Sequence, residues 1–491
     1  MTMASHLATR HGVYADSVSL MQVSQQVRDV DGVEAVLVAM GTPLNLDLLP
    51  GMGFDTDGLD AGPNDLVVAV RSRDDDAMST ALATVDAALA ATRGSGDAAG
   101  FGAAPPARTT ADAIGPDTTL VLVSTPGEHA VTEARDAIAA GVDVMLFSDN
   151  VTVADEVALK QDADDAEVLV MGPDAGTAIV GGVGLGFANV VTPGPVGIVA
   201  ASGTGAQQLT CLLDDAGVGV SHVLGVGGRD LSAQVGGRST MRALALLDAD
   251  PATELIVVLS KPPDPAVAAR VTEAAEAAST PVEMALLGPG QDDLTQITGR
   301  VLAALGNDVP VPTAWPADSQ PDARPGRLVG LFAGGTLATE AVLLASEALD
   351  GPIHANVATA VATDLDGAAT ADGHVVIDLG ADEWTRGRPH PMIDQGVRLE
   401  RIEAEATDAA VLLLDVVLGH AAHPDPASEL VPALRAAHAA NPDLAIVVSL
   451  CGSSGDPQDR TAQAAALHRA GASVHLSNAD AVRTAVALIE G

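Results

Sequence analysis

The sequence predicts an α/β protein whose domains are built on parallel sheets. Strand and helix patterns alternate in the order βαβαβ over residues 119–171, which favours a parallel sheet of the Rossmann type. Apolar runs at 256–259 and 412–414 lack the alternation of a half-exposed strand, as expected for parallel strands buried on both faces. One strand, small-residue turn and helix pattern also occurs twice, and this duplication organises the second half of the chain.

Residues 1–91 predict a small N-terminal α/β domain. Strand patterns occupy 33–40 and 66–71, and helical periodicity covers 16–28 and 74–90. The next segment, 92–117, is rich in Gly, Ala, Pro and Thr and predicts a linker. His6, Arg10 and His11 stand near the N-terminus without an apolar segment, so we expect no signal peptide.

A Rossmann-like domain is predicted over 118–192. Its strand patterns lie at 119–124, 143–148 and 167–171, and its helical patterns lie at 128–140 and 153–164. Two further domains follow at 193–308 and 327–491, separated by a Pro-rich linker at 309–326.

The duplicated segments are Val196-Gly-Ile-Val-Ala-Ala-Ser-Gly-Thr204 and Val329-Gly-Leu-Phe-Ala-Gly-Gly-Thr336. Each leads into a helical run, and each is followed further on by Pro-Asp-Pro-Ala, at 263–266 and 424–427. A Gly-rich turn at a helix start leaves N–H groups pointing outward, with the positive end of the helix dipole behind them. Two such turns facing each other predict one phosphate held between them. The candidate residues are Ser202, Gly203, Thr204, Gly205, Gly334, Gly335 and Thr336. The alternative is a pair of tight helix N-caps, which the same residue types favour.

Charge and cysteine content exclude several classes of protein. The 491 residues include 24 basic and 65 acidic side chains, for a net charge of −41, so nucleic acid is excluded as a partner. The acidity indicates a solvated acidic surface. Cys211 and Cys451 give no disulfide framework and suit a reducing cytoplasm. The longest apolar stretch, 409–419, is interrupted by Asp415, so we expect a cytoplasmic protein without a membrane partner.

Three motifs in the middle of the chain resemble the α subunit of succinyl-CoA synthetase. They are Met171-Gly-Pro-Asp174, Gly197-Ile-Val-Ala-Ala-Ser-Gly-Thr204 and Gly225-Val-Gly-Gly-Arg-Asp230. The likeness runs over about 120–288, and the second repeat resembles the ligase domain of the β subunit. It implies a CoA-binding-type Rossmann domain at 118–192 and flavodoxin-like ligase-type domains at 193–308 and 327–491.

Motifs spread over nearly the whole chain resemble the FdrA family: Asp16-Ser-Val-Ser-Leu20, Met40-Gly-Thr-Pro43, Phe147-Ser-Asp-Asn150, Gly186-Phe-Ala-Asn-Val190, Arg229-Asp-Leu231, Ser260-Lys-Pro-Pro263, Arg386-Gly-Arg-Pro-His-Pro-Met-Ile-Asp394 and His423-Pro-Asp-Pro426. Members of this family are described as acyl-CoA synthetase-like, and some are implicated as a subunit of oxamate carbamoyltransferase in allantoin breakdown. There, oxalurate and phosphate yield oxamate and carbamoyl phosphate. The resemblance implies that function first, an acyl-CoA synthetase second, and a non-catalytic scaffold or regulatory subunit third.

The sequence departs from the synthetase pattern where that enzyme passes phosphate through a histidine. The α-like half ends near Leu287-Gly-Pro-Gly290 without the Gly-His-Ala-Gly-Ala loop, and Lys261 stands where an acid supports the phosphohistidine. The first Gly-rich βα unit of the CoA-binding domain and the ATP-grasp domain are also missing from the pattern. We therefore expect no phosphohistidine relay and weak or no CoA binding, with phosphate as a substrate and no cofactor firmly implied.

Lys261 and the Arg229–Asp230 pair are candidate ligands for substrate. Lys261 is one of only two lysines and directly follows the strand pattern 256–260, at the strand end where ligands of parallel sheets collect. Its alternative is a solvated loop lysine. Arg229 with Asp230 could orient one carboxylate of the substrate, because Arg suits planar bidentate pairing, or could form a local salt bridge.

The loop Arg386-Gly-Arg388-Pro-His390 places two cations and an imidazole close together. It could clamp the carboxylate of an amide such as oxamate or oxalurate, or be a surface loop paired with acidic residues. Gly419, His420 and His423 stand at a predicted helix start opened by Pro424, where the imidazoles could donate to phosphate or shuttle a proton. Packing or surface roles are their alternative. No third ligand with suitable spacing supports zinc, so no metal is predicted.

The implied partners are a small-molecule substrate and other subunits of the transferase. A homo-oligomer is left open by the sequence. The turn residues Gly172-Pro-Asp174 and Asn189 are interpreted as structural, since such residues serve turns more often than ligands.

Overall fold

The computed structural model describes residues 4–13, 15, 17–56, 58–92, 107–319, 321–365, 373–386 and 388–489. The chain folds as two compact units. One comprises Met1–Asp112 with Arg386–Pro389, and the other comprises Ala113–Thr385 with His390–Gly491. Several predicted features fall outside the described residues: the helix start at Asp16, most of the first linker, Gly387 and the last two residues.

The first unit is a three-stranded antiparallel sheet, with two helices on one face and a third on the other. Its elements are β1 (Ala4–Arg10), α1 (Ser17–Arg28), β2 (Val33–Met40), α2 (Pro43–Gly51), β3 (Leu66–Ser72), α3 (Asp75–Thr92) and α4 (Thr110–Ala113). The strand order is β1-β3-β2, and α1 and α3 share one hydrophobic core with that sheet. Leu49 and Phe54 pack in a second core with Val67 and Ala69 of β3. The predicted strands and helices are confirmed, while β1 and α2 were not predicted.

A three-stranded parallel sheet opens the second unit, in the order β4-β5-β6. Its elements are β4 (Leu120–Val123), α5 (Gly127–Ala139), β5 (Asp143–Leu146), α6 (Val153–Ala166) and β6 (Val170–Met171). This confirms the predicted βαβαβ order and its parallel pairing. Met145 and Met171 share a core with the following sheet, so this layer packs directly onto the first repeat.

The first repeat forms a six-stranded sheet in the order β12-β11-β9-β10-β7-β8. Its elements are β7 (Thr177–Val180), β8 (Val183–Gly186), β9 (Pro193–Ala200), α7 (Gly203–Asp215), β10 (Val220–Gly225), α8 (Arg238–Ala249), β11 (Leu255–Ser260), α9 (Pro265–Ala277), β12 (Val282–Leu286) and α10 (Leu294–Ala304). The antiparallel hairpin β7–β8 was not predicted, and it pairs with β10. Residues 177–186 therefore belong to the sheet of the first repeat rather than to the Rossmann-like sheet, which differs from the predicted boundary at 192.

The second repeat forms an eight-stranded sheet in the order β13-β20-β19-β18-β14-β17-β15-β16. Its elements are β13 (Ala314–Trp315), β14 (Arg327–Phe332), α11 (Gly335–Ala348), β15 (Ile353–Ala355), β16 (Thr363–Asp364), β17 (His374–Asp378), α12 (Asp382–Thr385), α13 (Gly396–Glu405), β18 (Ala409–Val417), α14 (Pro426–Ala440), β19 (Ala445–Cys451), α15 (Arg460–Arg469), β20 (Ser473–His475) and α16 (Asn478–Ala487). Strand β13 is antiparallel to β20, and the remaining pairs are parallel.

The two repeats share one topology. The central order β10-β9-β11-β12 of the first sheet corresponds to β17-β14-β18-β19 of the second, which is the flavodoxin-like pattern of a doubly wound sheet. Strands β11, β18 and β19 are buried along their whole length, and each is apolar except for one residue, Ser260, Asp415 and Ser449 respectively. The repeated Pro-Asp-Pro-Ala begins a helix in each copy, because Asp264 and Asp425 cap α9 and α14 and a Pro stands at the first helical position. The predicted α/β fold class is confirmed.

Both cysteines are free and buried. Within the part of the chain that the structure describes, no helix combines the length and the apolar character needed to cross a bilayer.

Candidate functional site

The two duplicated helix starts contact each other directly. Ser202 caps α7 by accepting from the N–H of Gly205 at 3.1 Å, and its Oγ lies 2.7 Å from Oγ1 of Thr336 in α11. A Cβ on Gly334 would lie 2.7–2.9 Å from three side-chain atoms of Thr204. Glycine at 334 is therefore required by this close approach, and α11 begins without a side-chain cap.

This contact lies at the point where the sequence predicts the bound anion. The hydroxyls of Ser202 and Thr336 are hydrogen-bonded to each other, so there is no space for a phosphate between them. Gly203 is exposed and Gly335 is half-exposed at the first position of each helix. Within the part of the chain that the structure describes, the N–H groups of Gly203, Thr204 and Gly335 make no hydrogen bond. The open ends of both helices therefore present donors to solvent beside the contact rather than inside it.

A buried ion pair fixes the turn that opens α11. Asp415, inside β18, accepts from the N–H groups of Ala333 and Gly334 at 2.7 and 2.9 Å. Arg398 holds the same carboxylate at 2.7 Å and the carbonyl of Asp415 at 2.6 Å. Because the turn uses these two N–H groups internally, the free donors of α11 begin at Gly335.

Lys261 and Asp378 meet at the same helix start. A Cβ on Gly335 would lie 2.5 Å from Oδ2 of Asp378 and 3.4 Å from Nζ of Lys261. Asp378 ends β17, and its Oδ1 accepts from the N–H of Gly380 at 2.9 Å. Burial raises the pKa of Asp378 to about 7, although the Lys261 cation opposes the rise. Near neutral pH this carboxyl therefore exists in both protonation states.

Asp174 is a second carboxyl near Lys261 whose pKa is raised. Its side chain is accessible to solvent, but surrounding protein desolvates it, and Asp149 and Asp382 add like charge. Together these effects raise the pKa of Asp174 to about 6, with Arg229 and Lys261 opposing. The region around Lys261 thus has more carboxyls than cations, and its charge depends on pH.

His390 lies beside Asp378 as a neutral imidazole. Burial, followed by the Arg398 charge, lowers the pKa of His390 to about 4. Its Nδ1 accepts from the N–H of Met392 at 3.2 Å, so the ring proton is on Nε2. A Cβ on Gly380 would lie 2.7 Å from that Nε2 and 3.1 Å from Oδ1 of Asp378. His390 is therefore a neutral donor next to the carboxyl.

The residues of the predicted carboxylate clamp, Arg386, Arg388 and His390, do not all belong to the same compact unit. Arg386 and Arg388 are exposed and belong to the first compact unit, whereas His390 belongs to the second. Their joint role in binding a substrate carboxylate remains a prediction.

Arg229 and Asp230 form ion pairs with two residues of α6. Nε of Arg229 lies 3.0 Å from Glu156, and Nζ of the fully buried Lys160 lies 2.7 Å from Asp230 and 2.9 Å from Glu156. Asp230 also accepts from the N–H and hydroxyl of Thr240 at 2.9 and 2.7 Å. Both ion pairs reach residues distant in sequence, so they differ from a salt bridge between the neighbours Arg229 and Asp230, and they tie the Rossmann-like sheet to the first repeat. The role of this pair in orienting a substrate carboxylate stays a prediction.

Both ring nitrogens of His423 contact residues at the start of α14. Its Nδ1 accepts from the N–H of Asp425 at 3.0 Å, and its Nε2 lies 3.3 Å from Glu429. His420 is exposed, and its backbone N–H donates to the carbonyl of Ala188 at 2.8 Å. The N–H of Gly419 donates to Gln458 at 3.1 Å, so that N–H is used within the protein. The catalytic roles predicted for these histidines stay predictions.

The sequence patterns assign no role in the site to three residues of this region: Asp378, Asp415 and Arg398. The first carried a usable signal, since Asp378 ends the apolar run His374-Val-Val-Ile-Asp378 just as Lys261 follows its own strand. In the sequence, Asp415 is visible only as an interruption of an apolar stretch, and Asp174 only as a turn residue.

Comparison with known proteins agrees with this architecture. A family model described as CoA-ligase matches residues 331–488, and one described as "AllF, heavy metal-associated domain" matches residues 3–105. The uncharacterized protein YahF of Escherichia coli strain K12 is 36% identical over 465 residues, covering 89% of this chain and 88% of YahF. The chain belongs to the YahF family.

More distant relatives of this YahF-family chain are CoA ligases. The malate–CoA ligase subunit alpha of Methylorubrum extorquens is 26% identical over 159 residues, which are 30% of this chain and 51% of that subunit. Among solved structures, the dinucleotide forming acetyl-coenzyme A synthetase 1 of Ca. Korarchaeum cryptofilum, in complex with phosphate and ADP, is 15% identical with a TM-score of 0.32. It covers 80% of this chain and 86% of that one.

The matched N-terminal segment does not fit a heavy-metal site. Heavy metals favour thiolate ligands, and the two cysteines of the chain, Cys211 and Cys451, both lie outside residues 3–105. Within the described ranges, His, Cys, Asp and Glu form no group of three that could hold a metal ion.

Proposed function

We propose that the open helix ends beside Lys261 bind phosphate and that the protein transfers a carbamoyl or acyl group between this phosphate and a carboxylate-bearing amide. The observation that carries the proposal is the convergence of two helix N-termini with one lysine. Gly203 and Gly335 supply N–H donors at the positive ends of two dipoles, and Nζ of Lys261 approaches Gly335. Each element alone is common in proteins, whereas their meeting at one point favours an oxyanion.

The specific reaction we propose is that of an FdrA-like subunit of oxamate carbamoyltransferase. Oxalurate and phosphate would give oxamate and carbamoyl phosphate. Phosphate held at the helix ends would attack the ureido carbonyl, and a donor would stabilise the developing oxyanion. His390 is suited to donate because its Nε2–H is neutral and lies beside Asp378. The reaction needs no covalent nucleophile.

A second candidate is an acyl-CoA ligase, and the CoA-ligase match over 331–488 favours it. The Rossmann-like sheet fits CoA poorly, however. The start of α5 at Gly127 is packed against the backbone carbonyls of Asp149 and Asn150, and Asp149, Asp174 and Asp382 concentrate negative charge nearby. The diphosphate of CoA would meet crowded backbone and like charge there. We therefore rank phosphorolysis above thioester formation.

The deciding experiment measures carbamoyl phosphate formed from oxalurate and phosphate. The purified chain is assayed alone and with the proteins encoded beside it, because partner subunits are part of the proposal. We expect carbamoyl phosphate in at least one arm, and its loss in the Lys261→Ala variant. A matched control, Arg469→Ala, removes a cation from the end of α15 and should leave the rate unchanged. Formation of an acyl-CoA from a carboxylic acid, CoA and a nucleoside triphosphate, without carbamoyl phosphate, would establish the ligase instead. No activity in any arm would leave the scaffold or regulatory role.

A further inference from the structure

We propose that Asp378 is the acid–base residue of the transfer reaction, donating the proton that the departing amide nitrogen requires. This inference rests on the proposed function and assigns a role that the phosphate site alone does not supply. Its geometric basis is that Asp378 touches both parts of the site. Oδ2 faces the first residue of α11, and Lys261 approaches the same point.

The proton balance of the reaction calls for such a group. Attack by an oxygen of hydrogen phosphate on the ureido carbonyl forms the new C–O bond. The C–N bond then breaks, and nitrogen leaves as the neutral amide of oxamate only if it takes up a proton. That proton is the one that phosphate gives up, so the atoms and charges of the reaction balance without any further reactant. A carboxyl in contact with the phosphate site can release one proton and receive the other.

Among the carboxyls of this region, the contacts of Asp378 suit it best to the acid–base role. Asp415 is occupied by Arg398 and by two backbone N–H groups, so neither of its oxygens is available. Asp174 is linked to Lys261 electrostatically and stands close enough to influence Asp378. Asp378 keeps Oδ2 directed at the helix start while Gly380 holds its Oδ1.

The backbone of Asp378 is also fixed. Its N–H donates to Oδ1 of Asn356 at 2.8 Å, and its carbonyl accepts from Nδ2 of the same residue at 2.9 Å. The charged and titratable groups that face the Asp378 carboxyl are Lys261, Asp415, Asp174 and the neutral His390. A carboxyl held on a rigid strand end between a cation and a neutral donor is suited to exchange protons with a ligand placed against it.

The test separates anion binding from turnover. Asp378→Asn keeps the shape and the acceptor for Gly380 but cannot ionise. Sulfate serves as the binding probe because its charge does not change near neutral pH. In the wild type, sulfate binding should weaken as pH rises from 6 to 8, because Asp378 loses its proton and becomes an anion. In Asp378→Asn this weakening should be reduced, and sulfate at pH 8 should bind at least as tightly as in the wild type.

Turnover should change in the opposite direction. We expect kcat for carbamoyl phosphate formation to fall about 10²- to 10⁴-fold in Asp378→Asn, as for loss of a general acid. The limb of the pH–rate profile near pH 7 should disappear with it. The control Asp408→Asn, which removes an exposed carboxylate just before β18, should change neither quantity. Urea unfolding checks that the variant is folded, and Asp378→Ser replaces it if the asparagine variant is not.

Failure of this inference differs from failure of the proposed function. Asp378→Asn with kcat within about threefold of the wild type and an unchanged pH–rate profile would overturn the role of Asp378, while the phosphate site would stand. A wild-type protein that neither binds sulfate nor forms carbamoyl phosphate would overturn both.

Discussion

Replacing Gly334 by Ser would make the second helix start a copy of the first. Judged by the helix alone, Gly334→Ser should stabilise the protein, because Ser is the better N-cap by a few tenths of a kcal/mol. The structure predicts the opposite. The added Cβ would lie 2.7–2.9 Å from Cγ2, Oγ1 and Cβ of Thr204, and distances this short require movement.

The movement must involve backbone, and this sets the magnitude. A rotation of the Thr204 side chain cannot relieve the contact, because its Cβ is one of the three atoms. Helices α7 and α11 would have to separate, which would stretch the 2.7 Å hydrogen bond between Ser202 and Thr336. Overpacking of this kind costs about 1–3 kcal/mol. After the capping gain, we expect Gly334→Ser to lower the free energy of unfolding by about 1–2.5 kcal/mol.

The fluorescence of the two tryptophans provides the assay. Trp315 and Trp384 both pack against the core of the second repeat, so urea unfolding followed by their emission reports on this half of the molecule. The matched control is Gly203→Ala, where the nearest atom to the new Cβ is Oγ1 of Thr177 at 3.5 Å. That variant should stay within about 0.5 kcal/mol of the wild type.

A double variant isolates the contact itself. Thr204→Gly removes all three atoms that the new Cβ would meet, so Thr204→Gly combined with Gly334→Ser should be more stable than the sum of the single changes predicts. Wild-type or higher stability of Gly334→Ser alone would refute the reasoning, since the capping gain would then outweigh the contact.

Further predictions concern the lysines, the histidines and CoA. Lys261→Ala should weaken sulfate binding about ten- to a hundredfold, the equivalent of a hydrogen bond to a charged group, with little loss of stability. Lys160→Ala should instead lower the free energy of unfolding by about 3–5 kcal/mol, because two buried carboxylates lose their cation. It should have no direct effect on sulfate binding. Equal sulfate affinity in Lys261→Ala and the wild type would show that Lys261 is a solvated loop lysine that does not bind the anion. Labelled ATP or carbamoyl phosphate should leave no alkali-stable label on His420 or His423, and a stable label on either would favour the synthetase mechanism. CoA should bind weakly in calorimetry at moderate and at high salt. Because salt screens only long-range repulsion, tight binding at both would contradict the crowding at α5.

Much of the fold could be predicted because its signals are local. Cap residues such as Ser202 and Asp264 stand next to the helices that they begin, and the fully buried strand β11 is apolar up to its last residue. The hairpin β7–β8 escaped prediction because residues 177–186 contain four glycines and little apolar periodicity. Its antiparallel pairing with β10 depends on tertiary contacts that no local pattern encodes.

The site could be predicted only in part for a related reason. Lys261 and the two Gly-rich turns were identified one at a time, each at the end of its own strand. The direct contact between Ser202 and Thr336 was not foreseen, because it depends on how closely two sheets pack. Asp378 was missed although it also ends a strand, since nothing in sequence shows that β17 brings it beside Lys261.

The contact between Thr204 and Gly334 makes the two halves of the second unit non-interchangeable. A symmetric pair of first halves would bring Ser202 to the place of Gly334, with the same collision against Thr204 that Gly334→Ser would cause. A symmetric pair of second halves would lack the Ser202 side chain that caps one helix and binds Thr336 in the other. The two halves therefore correspond to two different subunits of a heterodimer, joined here in one chain. Any attempt to express one half alone should yield a protein that cannot rebuild this junction with itself.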